Sequence, residues 1–231
     1  VKEYLLTILN SNFEEWRIEN PDAPMDDFRF TTEKMSSGGA LFDLNKLNDV
    51  SKDVLVKIPA ADLCDFMVGW AEEFNTELLP LFRGREDYLT KILDLGRSGN
   101  KPRKDLVYGK QIFDFISYFY DDYFRIEDEM PENVSDEDRS LILKKYLETY
   151  DHSDDQSQWF DKIREIGTEL GYAAKPKDFK KHPEDYKGHV GHVSTVIRIA
   201  LTGRQQSPDI WEIQQILGEE KTRARVEALI K

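Results

Sequence analysis

The chain has 231 residues, of which 39% are apolar and 12% aromatic, which is enough for a packed core and excludes wholesale disorder. Its one cysteine, Cys64, excludes a disulfide framework or a cysteine-based zinc site and favours a reducing cytoplasmic compartment. The net charge of −13 by itself argues against a polyanionic partner, and no apolar run reaches the roughly 18 residues of a membrane span, so no membrane partner is expected.

The first region of the chain runs to about residue 58. It opens with an amphipathic helix predicted from Val1 to Leu9 and contains a turn-rich stretch from Ser36 to Gly39. Because a natural start normally shows Met rather than Val1, and no signal-peptide pattern is present, we expect a piece excised from a longer cytoplasmic protein.

The second region contains three predicted helices, around Ala60 to Phe74, Asp87 to Leu95 and Lys110 to Phe124. The last of these is dense in Phe and Tyr. Such density could form a platform on which bases stack, but it is more typical of core, and the neighbouring carboxylates would repel phosphate.

A basic loop from Gly96 to Asp105 separates the last two of these helices. Arg97, Lys101, Arg103 and Lys104 surround flexible Gly and Pro residues in this loop. Lysines and arginines in such a setting neutralise phosphates without reading sequence. A merely solvated loop remains an open alternative.

The third region begins near Ser135, where Ser135 and Asp138 have capping-box spacing, and Ser153 with Gln156 repeats that signal. A helix with apolar positions from Val193 to Leu201 is followed by Gly203, a typical helix stop. A loop is predicted from Lys175 to Lys187. A short helix is capped by Ser207, has Pro208 at its first position and ends at Gly218. A last helix is predicted from about Glu219 to Ile230.

Strand signals are poor throughout, so the sequence predicts a mostly α fold. We place its three regions at residues 1–58, 59–134 and 135–231. Charge is segregated along them, because residues 187–231 hold seven Lys and Arg against five Asp and Glu, whereas the rest holds 25 against 40. The C-terminal end is therefore locally positive within an acidic chain.

Two separated motifs resemble glutamyl-tRNA synthetases of bacteria. The stretch Gly188-His-Val-Gly-His-Val-Ser-Thr-Val-Ile-Arg-Ile-Ala-Leu-Thr-Gly203 and the following Ser207-Pro208 helix resemble the family's Arg-x-Ala-Leu-Thr-Gly, Ser/Thr-Pro and Leu-Gly pattern. Upstream, Ser37-Gly-Gly-Ala-Leu-Phe-Asp-Leu-Asn-Lys-Leu-Asn48 is similar to the family's Gly-Ala-x-Phe-Asp-x-x-Lys-Leu segment, which touches the acceptor and D stems. Both motifs occur in family order and together frame nearly the whole chain.

The resemblance implies roles for individual residues. Arg198, Ser207, Pro208 and Ile210 occupy the positions that meet anticodon bases in the family. A loop followed by a helix N-terminus suits this role, because unstacked bases are read by such loops and by Arg. The surface-charge and helix-cap interpretations of Arg198 and Ser207 remain open.

Together with the resemblance, the basic residues of the Gly96–Asp105 loop and the arginine after Gly203 are predicted to contact the RNA backbone. These are Arg97, Lys101, Arg103, Lys104 and Arg204. Arg97 or Arg103 is also a candidate for the family's second anticodon-reading arginine, and the sequence leaves that choice open.

No catalytic residue is predicted in this chain. Lys34-Met35-Ser36-Ser37 superficially resembles the ATP-binding Lys-Met-Ser-Lys-Ser loop, but it lacks the second Lys, and the Gly-Ala-Leu-Phe-Asp continuation places it after that loop in the family. ATP and Mg²⁺ are therefore expected only in the longer enzyme. No metal site is expected either, because His189 and His192 have no Cys, Asp or Glu close in sequence.

The resemblance thus implies a two-part helical anticodon-binding region, residues 59–134 and 135–231, preceded by the end of a stem-contact domain. The expected partner is the tRNA of glutamate, with that of glutamine left open, and the expected state is a monomer. Two alternatives remain: the helical region of a related class I synthetase such as lysyl-tRNA synthetase, and an acidic helical scaffold that binds proteins.

Overall fold

The computed structural model describes residues 1–35, 38–97 and 102–230. Within these ranges the fold is mostly α, which confirms the prediction, and β pairing is limited to an isolated parallel bridge between Ala173 and His189. The α-helices are α1 Lys2–Leu9, α2 Phe13–Glu19, α3 Leu44–Leu55, α4 Ala60–Phe74, α5 Leu79–Phe82, α6 Glu86–Asp94, α7 Gly109–Ile116, α8 Asp136–Thr149, α9 Gln156–Glu169, α10 Pro176–Lys181, α11 Val190–Thr202, α12 Ile210–Leu217 and α13 Glu219–Glu227. The 3-10 helices are Met25–Asp27, Thr32–Lys34, Thr76–Leu78, Ser117–Phe119 and Pro183–Asp185.

The N-terminal region has its own small core. Phe13, Trp16 and Phe28 pack edge to face and tilted, with ring centroids 4.9 to 5.9 Å apart. The hydroxyl of buried Tyr4 accepts a hydrogen bond from the backbone N–H of Asp43, the residue that caps α3. This bond ties the Ala-Leu-Phe-Asp segment to the first helix.

From Leu55 to Val226 the buried side chains form one continuous hydrophobic cluster. It includes α4 and α6 from the second predicted region and α8, α9, α11 and α13 from the third. The helices of both regions therefore stabilise each other by burying apolar surface against a shared core. The boundaries at residues 58 and 134 stay predictions.

Helix α11 lies at the centre of this core. Eight of its residues are buried, and it packs against α8, α9 and α13. It begins after His189 and ends at Gly203, which adopts the left-handed conformation with φ of 76°. The predicted stop at Gly203 is confirmed.

Two predicted helix caps are wrong by two residues. Asp155, not Ser153, caps α9 through a complete capping box with Gln158, since the side chain of Ser153 instead bonds to Asp151. Similarly, α12 is capped by Asp209 rather than Ser207. In both places two suitable cap residues lie close together, and local hydrogen bonds select between them.

Three predicted element bounds also differ. The helix predicted to reach Phe124 ends at Ile116 and continues as a 3-10 turn, Ser117–Phe119, whose three residues are all buried. The last helix ends at Glu227 rather than Ile230, and the loop predicted from Lys175 to Lys187 contains α10. In the part of the chain that the structure describes, every helix is too short or too polar to cross a bilayer.

Candidate functional site

The candidate site is the loop from Gly203 to Pro208, which joins α11 to α12. Its first carbonyl, that of Gly203, accepts hydrogen bonds from the N–H groups of Glu127 and Asp128 at 2.9 and 3.0 Å. A Cβ atom at Gly203 would lie 1.8 Å from the carbonyl oxygen of Arg125. Close backbone approach and positive φ thus both require glycine here.

Arg198 spans this loop from the last turns of α11. Its Nη1 donates to the carbonyl of Ser207 at 3.0 Å, the hydroxyl of Ser207 at 2.6 Å and the carbonyl of Pro208 at 3.0 Å. Its Nε and Nη2 have no hydrogen-bond partner among the described residues, yet they are not sealed from solvent. One edge of the guanidinium therefore fixes the loop, while the other stays available to a ligand.

Burial lowers the pKa of Arg198, and the nearby carboxylate of Asp209 opposes that shift. A guanidinium nevertheless keeps its charge at any physiological pH. Arg198 thus presents a fixed cation with free donors at the surface of the loop.

Three of the four residues predicted to meet anticodon bases come together at this place. Arg198, Ser207 and Pro208 are joined directly, and all three are partly exposed. Ile210 lies below them and is only 4% exposed, as part of the hydrophobic core. Its side chain supports the start of α12 and does not face solvent.

Arg204 holds the same loop against an acidic segment, residues 121–133, which we call the acidic strap. Its Nε and Nη2 donate to the carboxylate of Glu127 at 2.8 and 3.0 Å, and Nη2 also donates to the carbonyl of Asp114. The N–H of Gln205 donates to Asp128 at 2.6 Å. Arg204, predicted to contact RNA backbone, is engaged within the fold.

The basic loop between α6 and α7 is similarly engaged. Arg97 donates through Nη2 to the carbonyls of Leu55 and Ile58, which fixes this loop to the end of α3. Arg103 donates to Asp105 from Nε and Nη2, at distances between 2.6 and 3.1 Å, and stacks over the Phe115 ring.

Lys104 forms an exposed ion pair with Asp53 at 3.1 Å. Lys101 lies outside the described residues, as do Ser36 and Ser37 of the sequence that resembles the ATP-binding loop. The backbone-binding roles of Arg97, Lys101, Arg103, Lys104 and Arg204 stay predictions.

The two candidate segments meet, although they are far apart in sequence. The carboxylate of Glu212, in the first turn of α12, lies near the backbone N–H of Gly96 and near Arg103. Burial and the proximity of Asp209 raise the pKa of Glu212. Glu212 is not among the site residues predicted from the sequence, because its local signal is only its place on the first turn of a predicted helix.

His189 and His192 cap α11. The Nδ1 of His189 accepts from the N–H of Gly191 at 3.0 Å, and the Nδ1 of His192 accepts from the N–H of His189 at 3.1 Å. The two rings stack with centroids 4.0 Å apart. Burial lowers the pKa of both imidazoles, so both favour the neutral form that this cap needs.

Comparisons with known proteins identify relatives of this chain. The chain is 62% identical over 230 residues to the glutamate–tRNA ligase of Acetivibrio thermocellus, and it is 42% identical over 230 residues to that of Clostridium perfringens. These alignments cover 100% and 98% of this chain but only 42% of each relative, so the chain spans well under half the length of the relatives it matches.

Among solved structures, a glutamate tRNA ligase from Elizabethkingia meningosepticum, in complex with its amino acid, superposes with a TM-score of 0.57 at 17% identity. The match covers 87% of this chain and 35% of that one, and at this identity it shows the shared fold alone. The family profile described as "Anticodon binding domain" matches residues 70–230, more than two thirds of the chain, including α11, the Gly203–Pro208 loop and α12. The chain therefore belongs to the anticodon binding domain family.

Proposed function

We propose that this chain is the tRNA-binding, anticodon-recognising part of a glutamate–tRNA ligase, the class I synthetase that joins glutamate to tRNA with ATP in cytoplasmic protein synthesis. The observation that carries the proposal is the state of Arg198, which is fixed across the loop by Nη1 while Nε and Nη2 remain free. A preoriented guanidinium edge is a common means of recognising a base, because it donates two hydrogen bonds in a fixed geometry.

Ser207 and Pro208 place backbone groups beside this edge, on a loop held rigidly from both sides. Single-stranded RNA loops are recognised where unstacked bases can reach such groups. Residues 59–134 and 135–231 would form the two helical parts of the anticodon-binding region, and residues 1–58 the end of a stem-contact domain.

ATP and Mg²⁺ belong to the remainder of the proposed enzyme, since no residue of this chain is assigned to them. We therefore expect no aminoacylation by this chain alone. Its contribution would be selection of the tRNA of glutamate, and whether the tRNA of glutamine is also accepted depends on how the loops around Arg103 and Arg198 meet the anticodon.

The test is equilibrium binding of the chain to the tRNA of glutamate, to the same tRNA with an altered anticodon, and to the tRNA of glutamine. Arg198→Ala should weaken cognate binding by roughly 1–3 kcal/mol and leave the altered anticodon unaffected. Arg198→Lys, which keeps the charge but loses the planar fork, should lose most of the same discrimination.

Arg164→Ala provides the matched control, because Arg164 is a partly exposed arginine on α9 that pairs with Asp161 and, among the described residues, forms no hydrogen bond with the Gly203–Pro208 loop. It should bind all three tRNAs as the unmodified chain does. Equal binding of cognate and altered tRNA by the unmodified chain would reject the proposed function. Absence of any salt-sensitive binding would favour the protein-binding scaffold instead.

A further inference from the structure

A cluster of lysines without internal partners lies elsewhere, on α10 and at its N-cap. Lys175, Lys177, Lys180 and Lys181 are exposed, and within the described part of the chain none of them forms an ion pair or a side-chain hydrogen bond. Over residues 175–187 five lysines stand against three carboxylates, in a chain whose net charge is −13. We call the first four of these the lysine surface.

The lysine surface has a fixed position because α10 is anchored to the start of α11. The ring of Phe179 packs against His189 and His192, with centroids 5.7 and 6.1 Å away. On either side of α10, the N–H of Ala173 donates to the carbonyl of Gly188, and the N–H of Val190 donates to that of Ala173, both at 2.9 Å. Backbone hydrogen bonds therefore hold together the two ends of the segment that contains α10.

Helix α11 connects the lysine surface to the loop at Arg198. Its 13 residues correspond to about 20 Å of helix. The lysine surface lies at its first end and the Gly203–Pro208 loop at its second. A few nucleotides of single-stranded RNA can span such a distance.

The acidic strap restricts the path that RNA can follow between the two ends of α11. It contacts Arg204 through Glu127 at one end of α11, and at the other Asn133 lies 2.9 Å from Nδ1 of His192. Between residues 121 and 133 it carries six carboxylates and one arginine. A polyanion is repelled from the side of α11 that the strap covers and attracted at the lysine surface.

We propose that the lysine surface binds the phosphate backbone of the RNA whose bases reach the Arg198 loop. This inference rests on the proposed function and adds a second contact to it. Lysine ammonium groups neutralise phosphates as mobile point charges and read no sequence. The lysine surface therefore contributes affinity, while the loop contributes discrimination.

The experiment measures the salt dependence of binding to cognate tRNA and to tRNA with an altered anticodon. The variant carries Lys175→Gln, Lys177→Gln, Lys180→Gln and Lys181→Gln. Removal of one lysine–phosphate ion pair should reduce the slope of log K against log salt by about 0.7 to 0.9. We expect a slope reduced by about 2.8 to 3.6 for the four lysines, weaker binding of both tRNAs, and an unchanged ratio between them.

The matched control compares Lys177→Gln/Lys180→Gln with Lys91→Gln/Lys144→Gln, which removes the same charge from exposed lysines of α6 and α8. Only the first pair should reduce the slope. Equal slopes for both pairs would reject the lysine surface as a specific contact.

The two proposals fail differently. If the four-lysine variant keeps the affinity and slope of the unmodified chain, while that chain still discriminates anticodons, the lysine surface is wrong and the proposed function stands. If the variant loses discrimination rather than affinity, the backbone role is also wrong. If the unmodified chain binds no tRNA, both proposals are overturned.

Discussion

The two ends of α11 use positive charge in opposite ways. At the C-terminal end, Arg204 is held by Glu127 and by backbone carbonyls, so that its charge stabilises the loop. At the N-terminal end, Lys177 and Lys180 are exposed and without an ion-pair partner in the described residues. The difference teaches that a basic residue near a binding loop is a candidate for RNA contact only if the fold has not already engaged its charge.

The prediction with the largest expected effect tests how closely the acidic strap packs against the Gly203–Pro208 loop. Gly203→Ala should destabilise the fold by roughly 3 kcal/mol or more, because a Cβ would collide with the Arg125 carbonyl and φ is positive. Gly84→Ala, at a φ of 75° with open space around it, should cost only about 1 kcal/mol. Urea unfolding of both variants measures the difference, and similar losses would show that the strap can move away.

The next effect separates a structural arginine from an RNA-binding one. Arg204→Gln removes charge-assisted hydrogen bonds to Glu127 and should cost roughly 2 kcal/mol of folding stability. Its binding to tRNA should keep the same salt slope. A slope reduced by about 1, with unchanged stability, would instead assign Arg204 to a phosphate.

A smaller effect concerns pH at the other end of α11. The pKa values of His189 and His192 are lowered by burial, so below the unfolded-state value of about 6.5 the unfolded chain binds protons that the folded chain does not. The contribution of the two imidazoles to stability is therefore present above the unfolded-state pKa of about 6.5. It is lost as the pH falls from that pKa toward the lowered pKa of the folded state. Stability should decrease between pH 7.5 and 5.5.

The control for this pH effect is His189→Asn combined with His192→Gln, which keeps capping-type side chains but removes both titrating groups. The decrease in unfolding free energy over that interval should be smaller in the double variant. An identical decrease would show that other groups cause it.

Features set by local sequence could be predicted accurately. Helix α4 was predicted at the bounds the structure shows, from its apolar periodicity, and the α11 stop follows from Gly203. The meeting of Arg198 with Ser207 could also be anticipated, because they lie only nine positions apart, across a helix end and a short loop.

The predictions that failed depended on contacts between residues that are distant in sequence. Ser207 and Asp209 can each cap α12, and the bond from Arg198 to Ser207 helps leave the cap to Asp209. The engagement of Arg97 by the carbonyls of Leu55 and Ile58 has no local sequence signal, because those partners lie about forty residues upstream. The proximity of Glu212 to Gly96 is equally a product of tertiary packing.

The most direct test of base recognition at this loop is site-specific cross-linking from Gln206, an exposed residue between Arg204 and Ser207. A photoreactive residue placed there, in the otherwise unmodified chain bound to the tRNA of glutamate, should cross-link to anticodon nucleotides, and an anticodon change should abolish the product. Cross-links to the acceptor stem, or a yield that does not depend on the anticodon, would contradict the assignment.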